Sequence, residues 1–242
     1  MQIIPVIDLM EGGVVRAVAG KRENYQPLKS RLCASSAPDE VVSGLLRLFA
    51  FPTIYIADLD AILQRGDNID AVQKLVAAFP SLEFWLDAGA HEQTAIASNA
   101  AFTSNIAAVV GSETLSTVAS PPDLSAQPRT ILSLDFHGPK FLGPPELLSE
   151  PRLWPQRIIV MTLARVGTGD GPDLDALAAI KAKAEEREIF AAGGVRGASD
   201  LNLLQRMGIT GALVTSALHD GRLERKELAI SAKKEPQRAP FR

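Results

Sequence analysis

Short apolar runs that end in small or polar residues recur along the whole chain. Ile3–Asp8, Thr53–Asp58, Glu83–Asp87, Ile106–Gly111, Thr130–Asp135, Ile158–Thr162, Ile189–Ala192 and Gly211–Thr215 all have this form. A continuous apolar run of that length predicts a strand buried on both faces, with polar chemistry held at its C-terminal tip. Between the runs the spacing changes to that of amphipathic helices. Asp39–Phe49 follows Ala37-Pro38, Ile69–Ala78 follows Asp67 and Asn68, Asp173–Glu186 follows Gly171-Pro172, and Ala198–Met207 stops at Gly208. Strand followed by helix, repeated, implies parallel pairing through right-handed crossovers.

The pattern also repeats on a longer scale. Ile54-Tyr55-Ile56-Ala57-Asp58 is echoed by Ile158-Ile159-Val160-Met161-Thr162, 104 residues on. Phe84-Trp85-Leu86-Asp87-Ala88-Gly89 is echoed 105 residues on by Ile189 to Gly194, and Ala107 to Ser112 is echoed 104 residues on by Gly211 to Ser216. Two copies of a four-strand unit make eight strands. The expected architecture is therefore a (β/α)8 TIM barrel built from two duplicated half-barrels, with its active site at the strand C-termini. A length of 242 residues fits one such barrel, expected over residues 1–230, with a polar tail over 231–242 that carries Pro236 and Pro240. The symmetry is broken once. Asp8 and Asp135 close equivalent strands yet lie 127 apart, and the excess falls in the polar stretch from Met10 to Ser36. A long loop on the catalytic rim is expected to act as a lid, the alternative being a decorative hairpin.

Composition narrows the function. With 46% hydrophobic residues the chain can fill a large core, and a net charge of −3 argues against general binding to nucleic acid or an anionic membrane. Cys33 is the single cysteine, which precludes an intrachain disulfide and points to a reducing, cytoplasmic setting. The N-terminus has no basic region and reaches Asp8 too early for a signal peptide, and no apolar run approaches membrane-spanning length.

The candidate chemistry clusters at the strand tips. Asp8 and Asp135 each end an apolar strand, and the first and fifth strands of an eight-stranded barrel stand opposite one another. Facing carboxylates suit a general base and a general acid working on one small substrate. Otherwise each would cap a loop or pair with Arg16 or Lys140. Gly193, Gly194, Thr215 and Ser216 end the last two strands, where glycine amides and a helix start commonly hold phosphate. Gly89, Gly111, Ser112, Asp58 and Arg16 are further candidates for contact with substrate, with Asp58 equally readable as a structural ion-pair partner. Thr162 could bond a substrate hydroxyl or orient a carboxylate. Gly167 to Gly171 reads as a mobile rim loop, and His137 as a loop histidine. No metal motif, Walker loop or dinucleotide fingerprint is present, so no cofactor is expected.

At these residues the chain resembles the histidine-biosynthesis ProFAR isomerase family and its cyclase sister. The matching segments are Ile-Pro-Val-Ile-Asp8-Leu, Gly12-Gly13-Val14-Val15-Arg16, Tyr55-Ile56-Ala57-Asp58-Leu59-Asp60-Ala61-Ile62, Leu132-Ser133-Leu134-Asp135, Thr162, and Ala191-Ala192-Gly193-Gly194-Val195. The resemblance implies that Asp8 and Asp135 are the acid–base pair of an Amadori-type aldose-to-ketose rearrangement, with Thr162 assisting. Three departures mark a divergent paralogue. Asp87-Ala88-Gly89-Ala90-His91 replaces the family's glycine-rich run with arginine at the first phosphate site, Thr215-Ser216-Ala217 replaces its Gly-Arg or Gly-Lys, and Phe141-Leu142-Gly143-Pro144 stands where it often carries tryptophan. The implied substrate is a phosphorylated sugar or aminosugar with one phosphate rather than two. The alternatives are a phosphosugar lyase or synthase, a role in one-carbon cofactor (methanopterin or methanofuran) synthesis, or a non-catalytic binding subunit.

Overall fold

A computed structural model describes residues 1–89, 105–115 and 121–232. Its strands in chain order are β1 (Gln2–Met10), β2 (Gly13–Arg16), β3 (Gln26–Pro27), β4 (Thr53–Asp58), β5 (Glu83–Asp87), β6 (Ile106–Gly111), β7 (Thr130–His137), β8 (Lys140–Leu142), β9 (Arg157–Thr162), β10 (Glu188–Ala192) and β11 (Gly211–Val214). Eight of them, β1, β4, β5, β6, β7, β9, β10 and β11, pair side by side in parallel. The last bonds to the first, with Gln2 opposite Gly211 and Pro5 opposite Val214, so the sheet closes into the expected barrel and leaves no edge among these strands.

The apolar runs are buried on both faces because each strand faces two cores. Ile4, Tyr55, Trp85, Ala107, Val109, Ile131, Ile159, Phe190 and Leu213 fill the barrel interior. The residues between them, such as Ile54, Ile56, Phe84, Leu132, Ile158 and Val160, pack outward against helices. Those helices are α1 (Pro38–Leu48), α2 (Leu59–Ile62), α3 (Ile69–Ala78), α4 (Glu146–Ser149), α5 (Leu174–Lys181), α6 (Ala198–Arg206), α7 (Ser216–His219) and α8 (Arg225–Ala232). Pro38 at the first turn and the acidic Asp39 and Glu40 start α1, while the Asp173 carboxylate accepts from the Ala176 amide at 3.1 Å and caps α5. Helix α5 stops at Lys181, five residues short of the expected Glu186. There the amides of Lys183 and Ala184 bond back over three residues instead of four, and Glu185 takes a φ of +53°, which ends the helical path.

The barrel is stopped at its N-terminal end. The Trp85 ring meets Phe190 edge-on at 4.8 Å, and the Arg157 guanidinium lies 5.3 Å from the Trp85 ring centre. Glu83 ties the two together, accepting from Trp85 Nε1 and Arg157 Nη1, each at 3.0 Å.

The stretch from Met10 to Ser36 is partly a hairpin. β2 runs antiparallel to β1 with Val15 opposite Asp8, β3 continues it, and a 3-10 turn at Arg22–Asn24 leans over the mouth. At the other end, α8 carries helix two residues past the expected boundary at 230. The Met1 amino group donates to the Ser231 carbonyl at 3.0 Å, and the rest of the expected tail lies outside the described residues.

Candidate active site

Alternation along the strands sorts the candidate residues into two groups. On β1, Ile4 and Val6 point into the barrel and so does Asp8. On β7, Ile131, Ser133 and Asp135 share the inward parity. Both carboxylates therefore line one cavity of about 310 Å³ at the C-terminal mouth, and both are more than nine-tenths buried.

Their surroundings differ. Asp135 is held by Ser133 Oγ at 2.6 Å, by the Glu113 amide at 3.0 Å and by Ser112 Oγ at 3.2 Å, while its own amide donates to Ser112 Oγ at 2.9 Å. No hydrogen bond reaches the Asp8 carboxylate among the described residues. Burial pushes the Asp8 carboxyl up to about 7, against the pull of the Arg22 guanidinium. Burial also pushes Asp135 up to about 7. Its two strongest donors oppose that rise, and the nearby charges of Glu113 and Asp87 reinforce it. Two carboxyls that change protonation near neutrality in one cavity can give and take protons.

A third carboxylate joins them. Asp87, at the tip of β5, lines the cavity and accepts from Tyr55 Oη at 3.0 Å and the Gly89 amide at 3.1 Å. Burial raises it to about 6. Tyr55 is held protonated, well above its ordinary value, by burial and by the fields of Asp87, Asp135 and Asp8. From the long first loop, Arg22 donates to Glu113 at 2.7 Å across the mouth. Tyr25 lines the cavity beside it, its hydroxyl pushed up to about 12 by burial and the Asp8 charge. The position of Asp87 was visible in the sequence, as was its sign. Arg22 and Tyr25 belong to the polar stretch expected to act as a lid, through Gly20-Lys21-Arg22 and Tyr25, without a role for either side chain; Glu113 carried no sequence signal.

The opposite side of the cavity is built from backbone. Gly193, Gly194, Thr215 and Ser216 all line it, together with Arg222. The two glycines are obligatory: a Cβ on Gly193 would lie 2.5 Å from the Thr162 carbonyl oxygen, and one on Gly194 would lie 2.1 Å from that of Gly171, at φ values of +98° and +85°. Arg222 also pairs with Asp220 at 3.2 Å, so part of its charge is already matched. It lies six residues beyond Ser216, and the Asp-Gly turn before it was its one sequence signal.

The remaining candidates take other positions. Thr162 is buried but has the outward parity of Ile158 and Val160; Met161 and Leu163 line the cavity while Thr162 does not. Asp58 likewise points outward. It caps α2 through the Ala61 amide and accepts from the Asn68 amide and Nδ2, both at 2.7 Å, so its role is to hold the turn into α3, through hydrogen bonds rather than an ion pair. Arg16 pairs with Asp220 at 2.9 Å, away from both Asp8 and Asp135. Gly89 packs on Ile62, where a Cβ would lie 2.7 Å from its Cα, and lines no part of the cavity. Gly111 and Ser112 serve the carboxylates. A Cβ on Gly111 would sit 3.3 Å from Asp135 Oδ2 and 3.7 Å from Asp87 Oδ2, and Ser112 Oγ is 2.7 Å from the Leu142 carbonyl. Ala90 and His91 lie outside the described residues.

Fold and site together define a (β/α)8 barrel with buried, ionisable carboxyls at the strand C-termini. The chain matches the histidine biosynthesis protein family over residues 2–138 and 152–224, and it belongs to that family. It is 32% identical over 246 residues to a Thermus thermophilus isomerase named for an imidazole-4-carboxamide bearing two phosphoribosyl groups, covering 94% of this chain and 98% of that one. It is 26% identical over 239 residues to phosphoribosyl isomerase A of Streptomyces griseus, covering 90% and 92%. It is also 30% identical over 230 residues to an uncharacterised protein of Methanocaldococcus jannaschii, covering 94% and 97%. The chain is thus an isomerase of the histidine-biosynthesis type.

Proposed function

We propose that the protein isomerises a phosphorylated aminoaldose to the corresponding aminoketose, using Asp135 as general acid and Asp8 as general base. The observation that carries this reading is the pair of buried, inward-facing carboxyls at the tips of β1 and β7, both raised to about 7 within one cavity. In its protonated form Asp135 would give a proton to the ring oxygen, so that the ring opens to an iminium. Asp8, which has no competing hydrogen bond among the described residues, would then remove the proton from C2. The resulting enaminol takes that proton back from Asp8 at C1 and gives its C2 hydroxyl proton to Asp135, which leaves the ketone at C2 and returns both carboxyls to their starting states. Burial away from water keeps both groups near the acidity that this exchange needs.

The phosphate would be held by the amides of Gly193 and Gly194, the hydroxyls of Thr215 and Ser216, and Arg222. We read the substrate as carrying one phosphate. On the β5–β6 side Asp87 and Asp135 carboxylate oxygens flank Gly111, and an additional anion there would meet like charge. A lyase reading needs a strand-tip lysine for a Schiff base, and no lysine lines the cavity among the described residues.

The test is turnover of a panel of phosphorylated aminoaldoses, read by the appearance of the ketose, with wild type and Asp8→Asn. Conversion by the wild type and its loss in the folded variant support the reading. Conversion that is unaffected by the substitution overturns it. Growth of a histidine-pathway isomerase deletion strain carrying this gene would show that the substrate has two phosphates, against the single-phosphate reading.

A further inference from the structure

The cavity is electrically lopsided. Its β10–β11 side offers backbone amides, two hydroxyls and Arg222. Its β5–β6 side offers Asp87 and Glu113, next to the two inward aspartates, with Arg22 as the neighbouring cation and that cation already bonded to Glu113 at 2.7 Å. Asp87 accepts only neutral donors, the Tyr55 hydroxyl and the Gly89 amide, so its charge is solvated but not neutralised. Asp8 is more than nine-tenths buried and aimed into the same space, and its carboxylate has no hydrogen-bond partner among the described residues. Partly sheltered carboxylates that are short of cations are stabilised by a ligand that brings positive charge.

We propose that Asp87 selects a substrate that is anionic at one end and cationic at the other: a phosphate monoester whose far end carries a protonated amine. This rests on the phosphate placement proposed above and adds the second end. The ammonium, a nitrogen other than the one that forms the iminium, would donate to Asp87 and leave Asp8 free to take the C2 proton, while the phosphate occupies the glycine amides. A second phosphate, or a neutral hydroxyl, would leave Asp87 uncompensated.

Calorimetric binding to the intact protein at pH 7.5 tests this, with four probes: glucosamine 6-phosphate, glucose 6-phosphate, fructose 1,6-bisphosphate and unphosphorylated glucosamine. The wild type is expected to bind glucosamine 6-phosphate at least tenfold tighter than glucose 6-phosphate, the usual scale of a charge-assisted contact. Asp87→Asn should abolish that preference and improve binding of the bisphosphate. If the wild type shows no preference for the amine, whether it binds both monophosphates or neither, the inference is overturned, and this holds even if the variant does not fold. Phosphate placement fails separately: glucosamine binding as tightly as its 6-phosphate would refute the phosphate end while leaving the amine end standing.

Discussion

Replacing Asp8 by Asn should make the protein more stable and inactive, and the gain in stability should depend on pH. The carboxyl has an ordinary value of 3.8 and is raised to about 7 in the fold. Between these values the native state holds a proton that the unfolded chain has released, so stability falls as pH rises from about 4 to about 7 and then levels off. At pH 5 only part of that penalty has accrued, and at pH 8 all of it has. Linkage across the two values makes the difference between those pH values about 2–3 kcal/mol. Asparagine is nearly isosteric and carries no charge, so the advantage of Asp8→Asn over wild type should grow by about that amount between pH 5 and pH 8. Urea unfolding of both proteins at the two pH values measures it. Turnover of a phosphorylated aminoaldose should fall by about two to four orders of magnitude in the same variant. A stability difference that stays constant with pH, or a variant weaker than wild type at pH 8, would refute the picture of Asp8 as a buried carboxyl held at a cost.

Ser133→Ala removes the donor 2.6 Å from Asp135 Oδ1 and should raise that carboxyl further, by about one pH unit, as seen by NMR titration of carbon-13-labelled aspartate carboxyls; a fall would contradict the hydrogen-bond geometry. Arg22→Ala removes the cation that pulls Asp8 down and opens the Arg22–Glu113 contact, so the Asp8 titration should move upward with little loss of thermal stability, since the pair is partly exposed. Gly194→Ala should cost about 2–4 kcal/mol in urea unfolding, from the positive φ together with the clash on the Gly171 carbonyl, and it should weaken inorganic phosphate binding.

The strands were legible because burial on both faces writes itself as an apolar run, and the shortness of each run and its alternation with helical segments separated it from a buried helix. Asp8 and Asp135 were legible for the same reason: a charge at the end of such a run must be doing something at the tip. Tip position alone does not say which way a side chain points, and that direction separates the tip candidates. Asp58 and Thr162 stand one residue out of phase with the inward set, so the pleat turned Asp58 to cap a helix and Thr162 to the helix-facing layer. Arg16 was a candidate for substrate contact or for pairing with a strand-tip aspartate, but Asp220, more than 200 positions away, claims it. Arg22, Tyr25, Glu113 and Arg222 reach the cavity from loops and short turns. Their arrival depends on how those segments drape over a finished barrel, which no local pattern encodes.

The edge-on rings of Trp85 and Phe190 have one further consequence. With the far end plugged, a molecule entering at the mouth has no rear exit along the barrel axis. Reactant and product must use the same doorway, passing the same arginine and tyrosine on the way in and on the way out. Departure of the product is then a step that traffic at the entrance can slow, so accumulated product should obstruct fresh substrate by occupying the vestibule as well as the reaction chamber.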